Sequence, residues 1–226
     1  MADMFTEAME HLRANRLDLA AILLESALAD DPKHADALNL LGVVAHKQGD
    51  HEQAVKLIRR ALDLSQPRAA YFVNLAAALR GLERFDEAAE AARAALRLDA
   101  NLLEAYLHLT TAHRAAGRLT EAEAAARGVA ERWPEDSRGP QALGDCLREQ
   151  GRTAEAIAAY REALRRNPDD LAANMHAGTL LLAGEDQVAA EPYLRRAAEL
   201  LPGAFTVLSN YAACLIKLNR EREALV

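Results

Sequence analysis

The chain has 226 residues, 51% of them hydrophobic but only 4% aromatic, so its core must be built from small aliphatic side chains. Its 34 acidic and 27 basic residues give a formal net charge of -7 and are interspersed rather than blocked, which excludes a general nucleic-acid or anionic-membrane binder. No apolar run is long enough to span a bilayer, and the opening MADMFTEAMEHLRANR lacks signal-peptide character, so the expectation is a cytoplasmic protein without membrane contact.

Fifty-one alanines and few glycines predict helix almost throughout, an all-α protein. The pattern repeats every 34 residues without a gap: units 1–34, 35–68, 69–102, 103–136, 137–170 and 171–204, then a partial unit 205–226. Position 20 of each unit is alanine: Ala20, Ala54, Ala88, Ala122, Ala156, Ala190 and Ala224. Position 8 is small in every unit, position 27 is Ala or Val, and position 32 is proline in four units (Pro32, Pro134, Pro168 and Pro202). Small residues mark close helix approach, and the proline marks a stop. Each unit therefore predicts a first helix over positions 2–14, a turn, and a second helix over 18–30.

In chain order, the first unit has Glu7 and His11 where apolar residues are expected, which suits an end repeat with one wet face. The second and third carry helical apolar faces, Leu38, Leu41 and Ala45, then Phe72, Leu75 and Leu79, with a turn at Gly49-Asp50 in the former. The fourth turns at Gly117-Arg118, and Thr120 with Glu123 predicts a capping box there. The fifth opens its first helix on Gly139-Pro140, and its stretch GRTAEAIAAYREALRRNPDD is turn, second helix and stop. In the sixth, Gly184 comes one residue early, and Pro192 predicts a local kink or a later helix start. The partial seventh ends at EREALV, leaving an apolar edge of Leu215, Leu218 and Leu225 that predicts end-to-end self-association. Cys146 and Cys214, both at position 10, read as reduced packing residues.

Leu-Gly or Leu-Ala at positions 7 and 8, Gly near 15, Ala at 20, Ala-Leu at 27 and 28 and Pro at 32 resemble the tetratricopeptide repeat over the whole chain. The array is also similar to the N-terminal repeats of bacterial O-linked N-acetylglucosamine-transferase-like proteins. The resemblance implies a right-handed superhelix, an α-solenoid formed as a single array over 1–226, with first helices lining a concave groove. It further implies that positions 2, 5, 6, 9, 12 and 13 look into that groove.

Position 12 reads His46, Arg80, Arg114 and Arg148 in consecutive units, with Lys47 adjacent, a basic stripe whose guanidinium forks suit carboxylates or phosphates. Positions 5 and 6 add Asn39, Gln141, Asn74, His108, His176 and Asn210, amide and imidazole groups able to bond a peptide main chain, and Thr111 lies between His108 and Arg114. The alternative for the stripe is a solvated face offsetting the helix dipole.

The sequence has no GxxxxGK[ST], GxGxxG, GxSxG or HExxH, so no cofactor, metal or catalytic constellation is expected. The reading is a non-enzymatic interaction scaffold that takes a protein or peptide segment, of acidic character, in its groove. The alternative is the substrate-recognition arm of a larger glycosyltransferase, methyltransferase or sulfotransferase.

Overall fold

The computed structural model describes residues 2–224, and among the described residues fourteen helices follow one another in tandem. They are α1 (Ala2–Arg13), α2 (Leu17–Asp30), α3 (Ala35–Lys47), α4 (His51–Leu64), α5 (Ala69–Gly81), α6 (Phe85–Leu98) and α7 (Leu103–Ala115). Then come α8 (Leu119–Arg132), α9 (Arg138–Glu149), α10 (Thr153–Arg166), α11 (Leu171–Ala183), α12 (Gln187–Leu200), α13 (Phe205–Lys217) and α14 (Glu221–Ala224). Helices α1–α7 belong to one compact unit, Met1–Arg118, and α8–α14 to a second, Leu119–Val226.

The turn inside each repeat has one physical form. The residue at position 15 has positive φ in all seven repeats: Asn15, Gly49, Glu83, Gly117, Gly151, Glu185 and Asn219. The next amide reaches back to the carbonyl of position 11, as in Asp50 N to Ala45 O at 2.9 Å and Asp186 N to Leu181 O at 3.0 Å. That bond, with the one from position 15 to position 12, is the left-handed helix stop known as the Schellman motif. In the sixth repeat the glycine falls one place early, so Gly184 closes the helix in an ordinary conformation while Glu185 takes φ 61°. Glu83 does the same in the third repeat at φ 57°. Replacing either exposed glutamate by glycine removes a Cβ penalty and stabilises the fold by about 0.5–1 kcal/mol, read as a thermal midpoint higher by roughly 2 °C. A lower midpoint for Glu185→Gly would contradict this account.

The core follows the small-residue columns. Position 20 is fully buried from Ala20 through Ala190. Where position 8 is glycine, position 24 of the same repeat is large, and the two interlock. A Cβ on Gly42 would lie 2.6 Å from Ile58, on Gly144 2.7 Å from the Tyr160 ring, and on Gly178 2.6 Å from Leu194. In the third repeat both are alanine, Ala76 and Ala92, each fully buried. In the three glycine-bearing repeats the missing Cβ at position 8 is what lets the large side chain at position 24 pack against the first helix. Cys146 and Cys214 are buried within this packing and form no disulfide among the described residues.

Three expectations need correction. Thr120 is the second residue of α8, inside the helix, and caps nothing. Glu123 instead takes Arg127 at 2.7 Å on its own helix, and Gln150 at 3.0 Å and Arg152 at 2.7 Å from the following repeat. Second, the later helix start does not occur: α12 begins at Gln187, in register with its counterparts, and Pro192 lies inside it. Asp186 caps it by accepting from Ala189 N at 3.0 Å. The carbonyl that Pro192 cannot serve is that of Val188, a residue 76% exposed, where water can take the missing donor's place. Third, Leu215 is buried and Leu218 half-buried, because α13 packs against α12 and α11. Leu225 lies outside the described residues, and the exposed apolar groups of α13 are Phe205, Leu208 and Ile216.

Candidate functional site

In unit 1 the first helices α3, α5 and α7 pack side by side, which brings their equivalent positions into a row. The row at position 12 is basic, and its members act on one another. Arg80, half-buried on α5, reaches across to α7 and places Nη1 2.8 Å from His108 Nδ1. A guanidinium only donates, so His108 Nδ1 must be the acceptor and the ring proton must sit on Nε2. Burial first, and the facing Arg80 second, hold the His108 imidazole well below its ordinary value, at about 4, against an opposing pull from Glu104. Arg80 is itself shifted down, by burial and then by the like charge of Arg114.

His46, one repeat earlier in the row, has Nδ1 3.0 Å from Nδ1 of His51, the first residue of α4, with ring centroids 4.8 Å apart. That contact requires one nitrogen to donate and the other to accept. Burial lowers the His46 pKa, and His51, Arg80 and Lys47 push it the same way. The His51 ring is seated over Gly81, where a Cβ would lie 2.5 Å from it. Lys47 is exposed beside them.

The amides of unit 1 are arranged differently from the expectation. Asn39 is only 5% exposed and its Oδ1 accepts from Asn74 Nδ2 at 3.0 Å, so Asn39 is a buried brace for Asn74 rather than an open contact. Thr111 Oγ1 donates to the Leu107 carbonyl of its own helix at 2.9 Å, which uses up its hydroxyl proton. Arg114 is half-buried in the row.

Unit 2 offers a mixed wall. Arg148 on α9 lies 3.7 Å from Glu149, and its Nε is buried with no hydrogen-bond partner among the described residues. Beside it, Tyr160 Oη donates to Asp145 at 2.8 Å, and the His176 ring lies tilted against Tyr160, centroids 5.6 Å apart, with Nε2 3.9 Å from the same carboxylate. Burial, and then the Asp145 charge, raise the Tyr160 phenol, so it stays a donor. Asn210 Nδ2 makes a long contact of 3.4 Å with Thr179 Oγ1, and Gln141 is half-buried on α9.

The structure adds groups that column reading passed over. Asp145, at position 9, brings an acid among the predicted basic and amide residues. His51 starts a second helix, outside the columns that were read. Asn174 is buried and ties down the inter-repeat turn, donating to the carbonyls of Pro168 at 2.8 Å and Asp170 at 2.9 Å. His113 is buried between Arg93 at 3.0 Å and Arg118 at 2.9 Å.

Comparison with known proteins agrees with the repeat geometry. The sequence model described as tetratricopeptide repeat matches residues 5–69, 73–137 and 142–205. The chain is 36% identical over 69 residues to TPR repeat-containing protein YpiA of Bacillus subtilis (strain 168), covering 30% of this chain and 16% of that protein. It thus spans less than a fifth of that relative's length. Among solved structures it is similar to Pseudomonas aeruginosa pilF, with a TM-score of 0.77 at 19% identity, covering 93% of this chain and 94% of that one. It is also similar to YrrB, described as a TPR protein with an unusual peptide-binding site, with a TM-score of 0.61 at 19% identity over 82% and 96% of the two chains. At such identities the likeness is one of fold. Paired helices at a constant 34-residue step, a left-handed residue in every intra-repeat turn and a family match over most of the chain lead to one assignment: the chain belongs to the tetratricopeptide repeat family.

Proposed function

We propose that this repeat array is an interaction scaffold whose first-helix face binds a peptide segment carrying carboxylates. The observation that carries the reading is the state of Arg80. Its guanidinium is half-buried, its hydrogen bond is to a neutral imidazole, and among the described residues no carboxylate stands within ion-pair distance of it. A partly desolvated cation paired only with a neutral ring is electrostatically incomplete. A planar carboxylate matches its fork bidentately. Arg114 and Lys47 add positive charge to the same face, and Asn74 offers amide chemistry suited to a main chain. The description of YrrB as a TPR protein with an unusual peptide-binding site is in keeping with a peptide ligand.

The test uses a fluorescein-labelled, glutamate-containing unstructured peptide and the full chain. Replacing Arg80, Arg114 and Arg148 together by alanine should weaken binding at least about tenfold, the scale of one or two charge-assisted contacts, with the helical circular dichroism unchanged. Affinity should also fall as salt rises. Equal binding by wild type and triple variant would remove this site assignment.

A further inference from the structure

Away from the basic row, unit 1 carries a groove built beside its alanine-rich helix. Helix α6, FDEAAEAARAALRL, has alanine at six of its fourteen positions. Two of them, Ala91 and Ala94, line a groove of about 600 Å³ together with Phe72, Leu75 and Leu79 of α5. That volume falls in the range of small-ligand sites, about 300–1,000 Å³, and the apolar lining with a few placed polar groups is how such sites are built. The polar groups around it are all charged. Arg59 pairs with Glu87 at 2.7 Å, Arg93 with Glu90 at 2.6 Å, and Arg118 with Asp86. The three carboxylates are exposed, so these pairs are of the kind that contributes little and exchanges readily. Among the described residues no serine, threonine, asparagine or glutamine lines the groove, which leaves it without a neutral amide or hydroxyl to meet a peptide main chain.

Two of the three arginines converge on one buried imidazole. His113 is 2% exposed; Arg118 Nε donates to its Nδ1 at 2.9 Å, and Arg93 Nη2 lies 3.0 Å from its Nε2. A guanidinium only donates, and a neutral imidazole has one accepting nitrogen. With Nδ1 accepting from Arg118, the ring proton sits on Nε2 and Arg93 Nη2 meets an N–H. In the other tautomer the conflict passes to Arg118, and in the imidazolium both arginines meet an N–H. In every state of the ring, at least one of these two guanidinium groups finds no acceptor in His113. A carboxylate entering the groove supplies one, and its two oxygens match the guanidinium fork. An alkyl chain attached to it takes the apolar lining out of water. An ammonium group entering the same groove meets three carboxylates that already hold arginines.

We infer that this groove binds an aliphatic monocarboxylate, its carboxylate on Arg93 beside His113 and its alkyl chain along Phe72, Leu75, Leu79, Ala91 and Ala94. The site uses none of the residues of the basic row, so it stands or falls separately from the peptide-binding reading.

The experiment titrates the isotope-labelled full chain with hexanoate, octanoate and decanoate, each below its micelle concentration, and follows backbone amide shifts by NMR. Octanol and octylammonium serve as the neutral and cationic probes of equal length. Affinity should rise about two- to fourfold per added methylene, the range from half to full burial of the group, with the shifts centred on the groove-lining residues of α5 and α6. Octanoate should bind at least about fivefold more tightly than octanol or octylammonium, the scale of one charge-assisted contact. Arg93→Gln should remove that advantage while leaving octanol binding unchanged, which separates loss of the charge contact from loss of the fold. Ala94→Leu, which fills the groove, should weaken all three acids. Equal binding of octanoate and octylammonium, an Arg93→Gln chain that holds octanoate as tightly as wild type, or shifts centred outside α5 and α6 would overturn the assignment. The absence of a saturable shift with decanoate would overturn it as well.

Discussion

Replacing Gly139 by alanine should cost unit 2 about 2–3 kcal/mol, the range of an overpacked helix contact that cannot relax. Gly139 sits on the opening turn of α9, just before Pro140, and both are buried. A Cβ there would lie 2.8 Å from the backbone nitrogen of Ala130, 2.9 Å from Val129 Cγ1 and 3.0 Å from Ala130 Cα. Two of those three atoms are backbone, so a rotamer change cannot make room. Helix α9 would have to lift off α8 along their whole contact. Gly151 is the appropriate control. It has φ 75° with nothing within 4 Å of its would-be Cβ, so Gly151→Ala pays only for the left-handed backbone, about 1 kcal/mol. Urea denaturation followed by circular dichroism ranks the two. A Gly139→Ala chain as stable as Gly151→Ala would show that the helices have slack at this crossing.

The difference between those two glycines also marks what the sequence can and cannot carry. Position 8 announces itself because it is small in every repeat, and Gly151 falls in a column where a turn is expected. Gly139 stands at a position that is alanine in three units but Tyr71 and Val207 in others, so its close approach to Ala130 is visible only once α8 and α9 are placed. The opposite case is position 15, where Glu83 and Glu185 hide a left-handed residue behind a side chain that does not favour it. The fold was legible because repeated columns average over such exceptions. The site was less so, because a column assigns each residue a direction but no partner. Asn39 and Asn74 fell into neighbouring columns and turned to each other, while Thr111 bonded its own helix. Arg80 ran along the row to His108, and the acid that organises the corresponding face of unit 2, Asp145, lay in a column no basic pattern drew attention to. Long polar side chains choose among several partners within reach, and that choice is fixed by packing between repeats.

His108 supplies the second large effect, a loss of stability on acidification. In the unfolded chain a histidine takes up its proton near pH 6.5. In the folded chain burial and Arg80 hold the His108 value at about 4, so between these limits the unfolded state binds a proton that the folded state does not. Stability must then rise with pH across this window. The contribution is fully present above about pH 6.5, drains away as the pH falls toward 4, and is gone below it. The full difference corresponds to about 3 kcal/mol, and partial exposure of the ring reduces the expected effect to about 2 kcal/mol. The cause is geometric: a protonated Nδ1 cannot accept from Arg80, and the hydrogen bond becomes a contact between two cations. His46, shifted in the same direction, adds to the slope of the wild type with the same sign, so the measurement has to be a difference. His108→Gln keeps a neutral acceptor for Arg80 and does not titrate. Urea unfolding of both chains at pH 7 and pH 4.5 should show the variant gaining about 2 kcal/mol relative to wild type on acidification. Parallel pH profiles would mean that His108 accepts its proton in the folded chain, and that its ring can leave Arg80 without penalty.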